Sequence, residues 1–229
     1  MVRQKLSGEE KKYKKKLYDI EYRKKNIIRL KEQKLMYTKD NKYNKKEYGR
    51  KYRINIKNKM FEILGSKCAI CGEDNRIFVT IDHKNKDGAE KQKKYGSVLS
   101  EYSNLKSQGW PIDKIISNYQ VLCWNHNCAK NRGYFDKSPL ELNRYSRYRQ
   151  KLWREAFNFF GPCYCGESNL KFLTIDHIHN DGAERRRNGE KRAAELLSYF
   201  HKLGWPESIK ETYQLLCYNH NFAKALAGR

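Results

Sequence analysis

The sequence predicts an α+β fold in which a basic helical arm precedes two copies of one small unit of strands and helices. Three observations predict it. Most of the chain after residue 67 repeats itself at matched spacing, each copy carries paired cysteines and a histidine, and the charge excess lies mainly at the N-terminal end.

The repeat is the most informative of the three. Residues 68 to 132 contain, in order, CAICGEDN, VTIDHKNKDGAE, GWP and YQVLCWNHNCAK. Residues 163 to 226 contain CYCGESN, LTIDHIHNDGAE, GWP and YQLLCYNHNFAK. Asp82 and Cys123 stand 41 residues apart, and so do Asp176 and Cys217. Each copy has a helical lead-in, Tyr52 to Gly65 and Tyr148 to Gly161. Its apolar positions recur at helical spacing: Ile56, Met60, Phe61 and Leu64; Leu152, Trp153, Ala156, Phe157 and Phe160.

Within each copy a cysteine turn leads to a short strand, Ile77 to Asp82 or Phe172 to Asp176, and then to an Asp-Gly loop. A helix follows, Ser97 to Ser107 or Arg192 to Lys202, ended by Gly-Trp-Pro. A second strand, Tyr119 to Leu122 or Tyr213 to Leu216, precedes a short helix that begins near Asn125 or Asn219. The resulting division is an arm over 1–55, a first unit over 56–137, a basic linker over 138–150 and a second unit over 151–229.

The 229 residues include 49 Lys and Arg against 26 Asp and Glu, a net charge of +23. Residues 1 to 60 hold 22 basic and 7 acidic side chains, with Tyr13, Tyr18, Tyr22, Tyr37, Tyr43, Tyr48 and Tyr52 among the lysines. Ile20, Ile27, Ile28, Leu30 and Leu35 are too sparse for a separate core. The arm reads as one or two long helices that order on a polyanion, with Lys14, Lys15, Lys24 and Lys25 as candidate phosphate contacts. In the linker Arg144, Arg147 and Arg149 repeat the pattern. The alternatives are a solvated tail, or charge that serves solubility or an acidic membrane surface.

No apolar run is long enough to span a membrane, and Met1-Val2-Arg3-Gln4-Lys5 lacks the apolar stretch of a signal peptide. The expectation is a cytoplasmic, non-secreted protein in a reducing compartment, whose seven cysteines are metal ligands or free thiols. In the first unit Cys68-x-x-Cys71 and Cys123-x-x-His126 suit a tetrahedral zinc site. In the second, Cys163-x-Cys165 is one residue shorter, so its backbone must loop differently to chelate, while Cys217-x-x-His220 is intact; one or two structural zinc ions are expected. Cys128 is left over, and its counterpart is Phe222, so packing is the expected role. His179 and His201 occur only in the second unit and read as surface or linker-facing.

Both units place Ile-Asp-His at the end of the first strand and His-Asn at the start of the last helix. The pattern resembles zinc-bound HNH nucleases of the ββα-metal class, in phage and homing types, over about two thirds of the chain. It matches at Asp82-His83, Asn118 and Cys123-x-x-His126-Asn127-x-x-Lys130, and again at Asp176-His177 and Cys217-x-x-His220-Asn221-x-x-Lys224. The resemblance implies two tandem zinc-stapled ββα-metal units. It also implies a catalytic Mg²⁺ or Mn²⁺ held by Asp82 and Asn127, and by Asp176 and Asn221, with oxygen ligands that suit such a cation.

His83 and His177 would be general bases, turned away from the adjacent aspartate by strand alternation. Asn118 would orient the histidine loop. The second unit has Thr212 there, so it is expected to be a weaker nuclease or a DNA clamp. Lys130 and Lys224, one turn into the last helix, read as phosphate contacts or as an exposed face.

The expected function is hydrolysis of double-stranded DNA by a monomer with an internal pseudo-dimer, encoded by a phage or mobile element. A non-catalytic zinc-containing DNA-binding protein is the alternative, and RNA is not excluded as substrate.

Overall fold

The computed structural model describes residues 8–85 and 87–227, with the side chains of Lys11, Asp40, Lys42 and Tyr43 also left aside. The expectation about residues 1 to 5 lies outside the described residues. The chain divides into two units, Met1–Ile56 and Lys57–Arg229.

Helix α1 (Gly8–Lys25) and α2 (Ile27–Leu64) as far as Ile56 supply the first unit, and the rest of α2 belongs to the second. Tyr13, Leu17, Tyr18, Ile28, Met36 and Tyr37 are exposed, as the sparse apolar pattern requires. Local side-chain pairs support these helices: Glu21 with Lys25, Glu47 with Lys51, and Tyr18 stacked on Tyr22 with ring centroids 6.2 Å apart. Lys14, Lys15, Lys24 and Lys25 all lie exposed on α1. Among the described residues no helix is long and apolar enough to cross a membrane.

The second unit holds both repeats. The first runs β1 (Val79–His83), α3 (Gly88–Tyr95), α4 (Val98–Ser107), α5 (Ile112–Asn118), β2 (Tyr119–Cys123) and α6 (Trp124–Ala129). The chain then makes two 3₁₀ turns and enters α7 (Arg144–Phe160). The second repeat runs β3 (Leu173–His177), α8 (Gly182–Arg187), α9 (Ala193–Lys202), a 3₁₀ turn, β4 (Tyr213–Cys217) and α10 (Tyr218–Ala227). The architecture is α+β.

Two expectations change in detail. The Asp-Gly segment begins a short helix in each repeat, α3 or α8, rather than remaining a loop. Residues 144 to 150, read as linker, are the first two turns of α7. Asn143 caps this helix by accepting from the Ser146 amide at 2.8 Å, so Arg144, Arg147 and Arg149 are helical.

Each repeat has a two-stranded antiparallel sheet with the same register. Asp82 pairs with Gln120 and His83 with Tyr119; Asp176 pairs with Gln214 and His177 with Tyr213. The sheets lie on small cores. Phe61, Val79, Val121 and Leu122 pack with Cys68 and Cys123 in the first. Leu152, Trp153, Ala156, Leu173, Leu197, Phe200 and Leu216 pack with Cys163 and Cys217 in the second. The helix before each Gly-Trp-Pro ends in the same way. The Trp110 amide reaches back to the Leu105 carbonyl and that of Trp205 to Phe200, each at 3.0 Å. Both tryptophans therefore adopt φ near +60°, 59° for Trp110 and 55° for Trp205.

The repeats meet as reciprocal halves. The Asn125 amide donates to Asn219 Oδ1 at 3.1 Å, and the Asn219 amide donates to Asn125 Oδ1 at 3.0 Å. Phe78 packs edge-on to His220, and Phe172 packs edge-on to His126. Such exchange of equivalent contacts is the signature of a two-fold relation.

Two features break it. Trp124 stacks on Phe222 at 3.9 Å, where the first repeat offers only Cys128 to Tyr218. The space beside Tyr218 is taken by the buried Arg132, which donates to the Lys171 carbonyl at 3.2 Å and to that of Leu173 and lies over Trp153. Burial pushes the Cys128 thiol up to about 11, which makes it a poor nucleophile.

Candidate metal centres and active site

Two Cys₃His groups form within the second unit, Cys68, Cys71, Cys123 and His126, and Cys163, Cys165, Cys217 and His220. In each, one ligand atom per residue lies within 4.8 Å of the others. A tetrahedral zinc with ordinary bond lengths needs S···S separations near about 3.8 Å and S···N near about 3.6 Å. Cys71 and Cys123 sulfurs are 3.9 Å apart, and Cys68 Sγ lies 3.7 Å from His126 Nδ1. In the second repeat Cys163 Sγ lies 3.8 Å from His220 Nδ1, and the Cys123–His126 and Cys217–His220 pairs are closer, 3.1 Å each. The donors fit, and both groups could hold zinc.

The shorter Cys163-x-Cys165 knuckle is accommodated by a tighter turn. Gly72 donates to the Cys68 carbonyl four residues back, while Gly166 donates to Cys163 three residues back. Both glycines sit at positive φ, 75° and 87°, where a side chain would be strained. Burial pushes the Cys123 and Cys217 thiols up to about 12 and lowers His126. Buried thiols of this kind become thiolates when a cation replaces their protons, and the neutral imidazole favoured at His126 is already the ligating form.

At the strand end, alternation sends the two polar neighbours to opposite faces. Asp82 accepts from Gln120 Nε2 at 2.9 Å, and from Lys130 Nζ at 2.8 Å through Oδ1 and 2.6 Å through Oδ2. Asp176 accepts from Gln214 at 2.8 Å, Lys224 at 2.6 Å and Asn221 Nδ2 at 3.0 Å. The carboxylate and amide of the second repeat are thus adjacent, and an amide can turn its oxygen inward. One carboxylate plus one amide is a donor set that suits Mg²⁺ or Mn²⁺ together with water and phosphate. Asn127 stands half-buried at the equivalent place on α6. Lys130 and Lys224 are not an exposed face, because both rest on aspartates.

The histidines face carboxylates that the sequence did not reveal. His83 Nε2 lies 3.1 Å from Glu101 Oε1, and Glu101, only 3% exposed, also accepts the Tyr119 hydroxyl. His177 Nε2 lies 2.8 Å from Glu190, which accepts the Tyr213 hydroxyl. Burial, then the bond to Glu101, holds the Tyr119 hydroxyl far above its ordinary range. The same causes, with Glu190, push Tyr213 up to about 12. Both tyrosines therefore stay protonated and donate.

The repeated Tyr-Gln dipeptide was the available signal: in the observed register Tyr reaches the His side and Gln the Asp side. The glutamates had none. Counted back from Gly-Trp-Pro, the position matching Glu101 is Leu196, and the carboxylate comes instead from Glu190 in the turn before α9.

Gly88 and Gly182, in the repeated Asp-Gly-Ala-Glu, lie against the other imidazole nitrogen. A Cβ at Gly182 would stand 2.5 Å from His177 Nδ1, and one at Gly88 would stand 3.3 Å from His83 Nδ1. Gly182→Ala is expected to push His177 off Glu190 and cost about 1–3 kcal/mol. Gly88→Ala should do so less. Thermal unfolding, with the ¹⁵N shifts of His177 as a local reporter, checks this order.

The loop after each histidine is tied by a backbone carbonyl. The Lys84 backbone amide donates to the Asn118 carbonyl at 2.9 Å, and the Ile178 amide donates to that of Thr212 at 2.9 Å. The Asn118 side chain adds a bond to Asn85 at 3.4 Å. This shared tie does not depend on which side chain stands there.

The site of the second repeat opens into a cavity of about 570 Å³, lined by Asp176, His177, Asn221, Lys224 and Arg186. Arg186 was not expected from sequence, and its counterpart is Gln92. His179 is exposed. His201 is half-buried instead, bound to Glu155 at 2.7 Å.

The chain matches no family model, and no curated protein and no solved structure matches it.

Proposed function

We propose that the protein is a DNA endonuclease of HNH (ββα-metal) type, hydrolysing phosphodiester bonds with a divalent cation and a histidine general base in each repeat. The observation that carries this reading is the His83–Glu101–Tyr119 chain beside Asp82, rebuilt in the second repeat as His177–Glu190–Tyr213 beside Asp176. A surface ion pair needs no such duplication.

Glu101 accepts the Nε2 proton of His83 and so leaves the Nδ1 lone pair free to take a proton from water. The imidazolium that results is stabilised by the same carboxylate. Asp82 with Asn127, and Asp176 with Asn221, would hold Mg²⁺ or Mn²⁺, which when bound supplies charge stabilisation at the phosphoryl oxygens. Arg186 places a guanidinium at the second site, and the basic arm with Arg144, Arg147 and Arg149 adds sequence-independent affinity for the DNA backbone.

Zinc-loaded protein with Mg²⁺ or Mn²⁺ is expected to nick or linearise supercoiled plasmid. His83→Ala with His177→Ala should abolish cutting, a loss on the order of 10²–10⁴-fold, while gel-shift affinity is kept. Intact plasmid across a full metal screen would sink the proposal. It would favour a zinc-containing DNA-binding protein without catalysis, a reading to which the Lys130–Asp82 and Lys224–Asp176 pairs lend weight because they already neutralise both aspartates.

A further inference from the structure

We infer that Lys130 and Lys224 are resident counter-cations, and that a divalent cation reaches Asp82 or Asp176 only by displacing them. This rests on the endonuclease reading above.

Each lysine sits three residues after the asparagine of the Asp-Asn pair, one helical turn along the same face. Lys130 Nζ bridges both oxygens of Asp82, with a longer bond of 3.2 Å to the His83 carbonyl. Lys224 Nζ lies 2.6 Å from Asp176 Oδ2, 2.6 Å from the His177 carbonyl and 3.0 Å from the Ile178 carbonyl. These ammonium groups are largely shielded, with side chains 21% and 22% exposed against aspartates 11% and 10% exposed. The position is therefore built rather than a passing surface contact.

The other donors on these carboxylates are neutral amides, from Gln120, Gln214 and Asn221. Those from Gln120 and Gln214 can remain when a cation binds, while Asn221 would turn its oxygen toward it. An ammonium cannot share the same oxygens with a divalent ion, because like charges a few ångströms apart in a shielded site repel strongly.

Displacement has a useful consequence. A lysine swung from the aspartate stays on the site's rim and can meet the phosphate that accompanies the cation. The repeats should differ in how readily this happens. Lys130 is held chiefly by the carboxylate, whereas Lys224 has two close backbone carbonyls that persist when Asp176 turns to a metal. The first repeat should take up the cation more readily.

Mn²⁺ binding to the zinc-loaded full chain, followed by the paramagnetic resonance of free Mn²⁺, tests this without recourse to activity. Lys130→Met and Lys224→Met are each expected to tighten Mn²⁺ binding at their own repeat by about tenfold or more. Asp82→Asn should remove one site and Asp176→Asn the other. Lys130→Met should also melt at lower temperature without Mn²⁺ and recover with it. Lys130→Gln, which can still donate to Asp82, gives a folded neutral variant should the methionine form misfold.

Binding no tighter in the lysine variants, with the aspartate variants still losing sites, overturns the inference and leaves the endonuclease reading standing. No aspartate-dependent Mn²⁺ binding in any of these proteins overturns both.

Discussion

Stripping zinc with a strong chelator is expected to unfold the repeats cooperatively, with loss of the sheet and of the repeat–repeat contact. The cores are small and built partly from the ligands themselves: Cys68 and Cys123 lie among Phe61, Val79, Val121 and Leu122, and Cys163 and Cys217 among Leu173 and Leu216. Structural zinc contributes about 10–16 kcal/mol in small zinc-finger peptides, as much as the whole stability of an ordinary domain, about 5–15 kcal/mol.

Coupling between the sites should be visible too. His126 and His220 each pack edge-on to a phenylalanine of the other repeat, so losing one site removes a contact of its neighbour. Native mass spectrometry of the intact chain should find two zinc ions, and Cys123→Ser or Cys217→Ser should leave one and lower the melting temperature of both repeats. An unchanged melt in chelator would show that the cores stand without metal.

The second large effect is expected at the two glutamates. Glu101→Gln and Glu190→Gln keep the size of the side chain but lose the charge that, in the proposed mechanism, fixes the Nε2–H tautomer and stabilises the imidazolium. Cleavage by the altered repeat should fall on the order of 10²-fold or more, with the partner repeat's histidine substituted so that one site is read at a time. Zinc content should not change. The ¹⁵N spectrum of His83 or His177 should show a mixture of tautomers where the parent shows one, a response that a general loss of stability would not give. Full cleavage by both variants would mean that these carboxylates only pack.

The contrast between Glu101 and Glu190 also marks where sequence reasoning stops. Strand alternation made it legible that Asp82 and His83 point to opposite faces, and the matched spacing of the repeats placed strands, helices and the two Cys₃His groups close to where they stand. The shorter Cys163-x-Cys165 knuckle depends on a turn one residue tighter around Gly166, which spacing alone does not describe. Thr212 stands where the Asn118 side chain bonds Asn85 in the first repeat, and the backbone carbonyl at that position also ties the loop in both repeats, a contact that residue type does not announce.

By itself the sequence determined the duplication, the α+β elements, the two Cys₃His sets and the paired Asp-His positions, because each is written in local order and period. Only the tertiary structure decided which groups those positions meet. The ammonium on each aspartate, the carboxylate on each histidine, the glycine beneath each imidazole and the reciprocal Asn125–Asn219 exchange all join residues far apart in the chain. Such contacts are chosen by packing geometry. The second repeat shows this most plainly, since it drew its carboxylate from the turn before α9 when the helix position was occupied by Leu196.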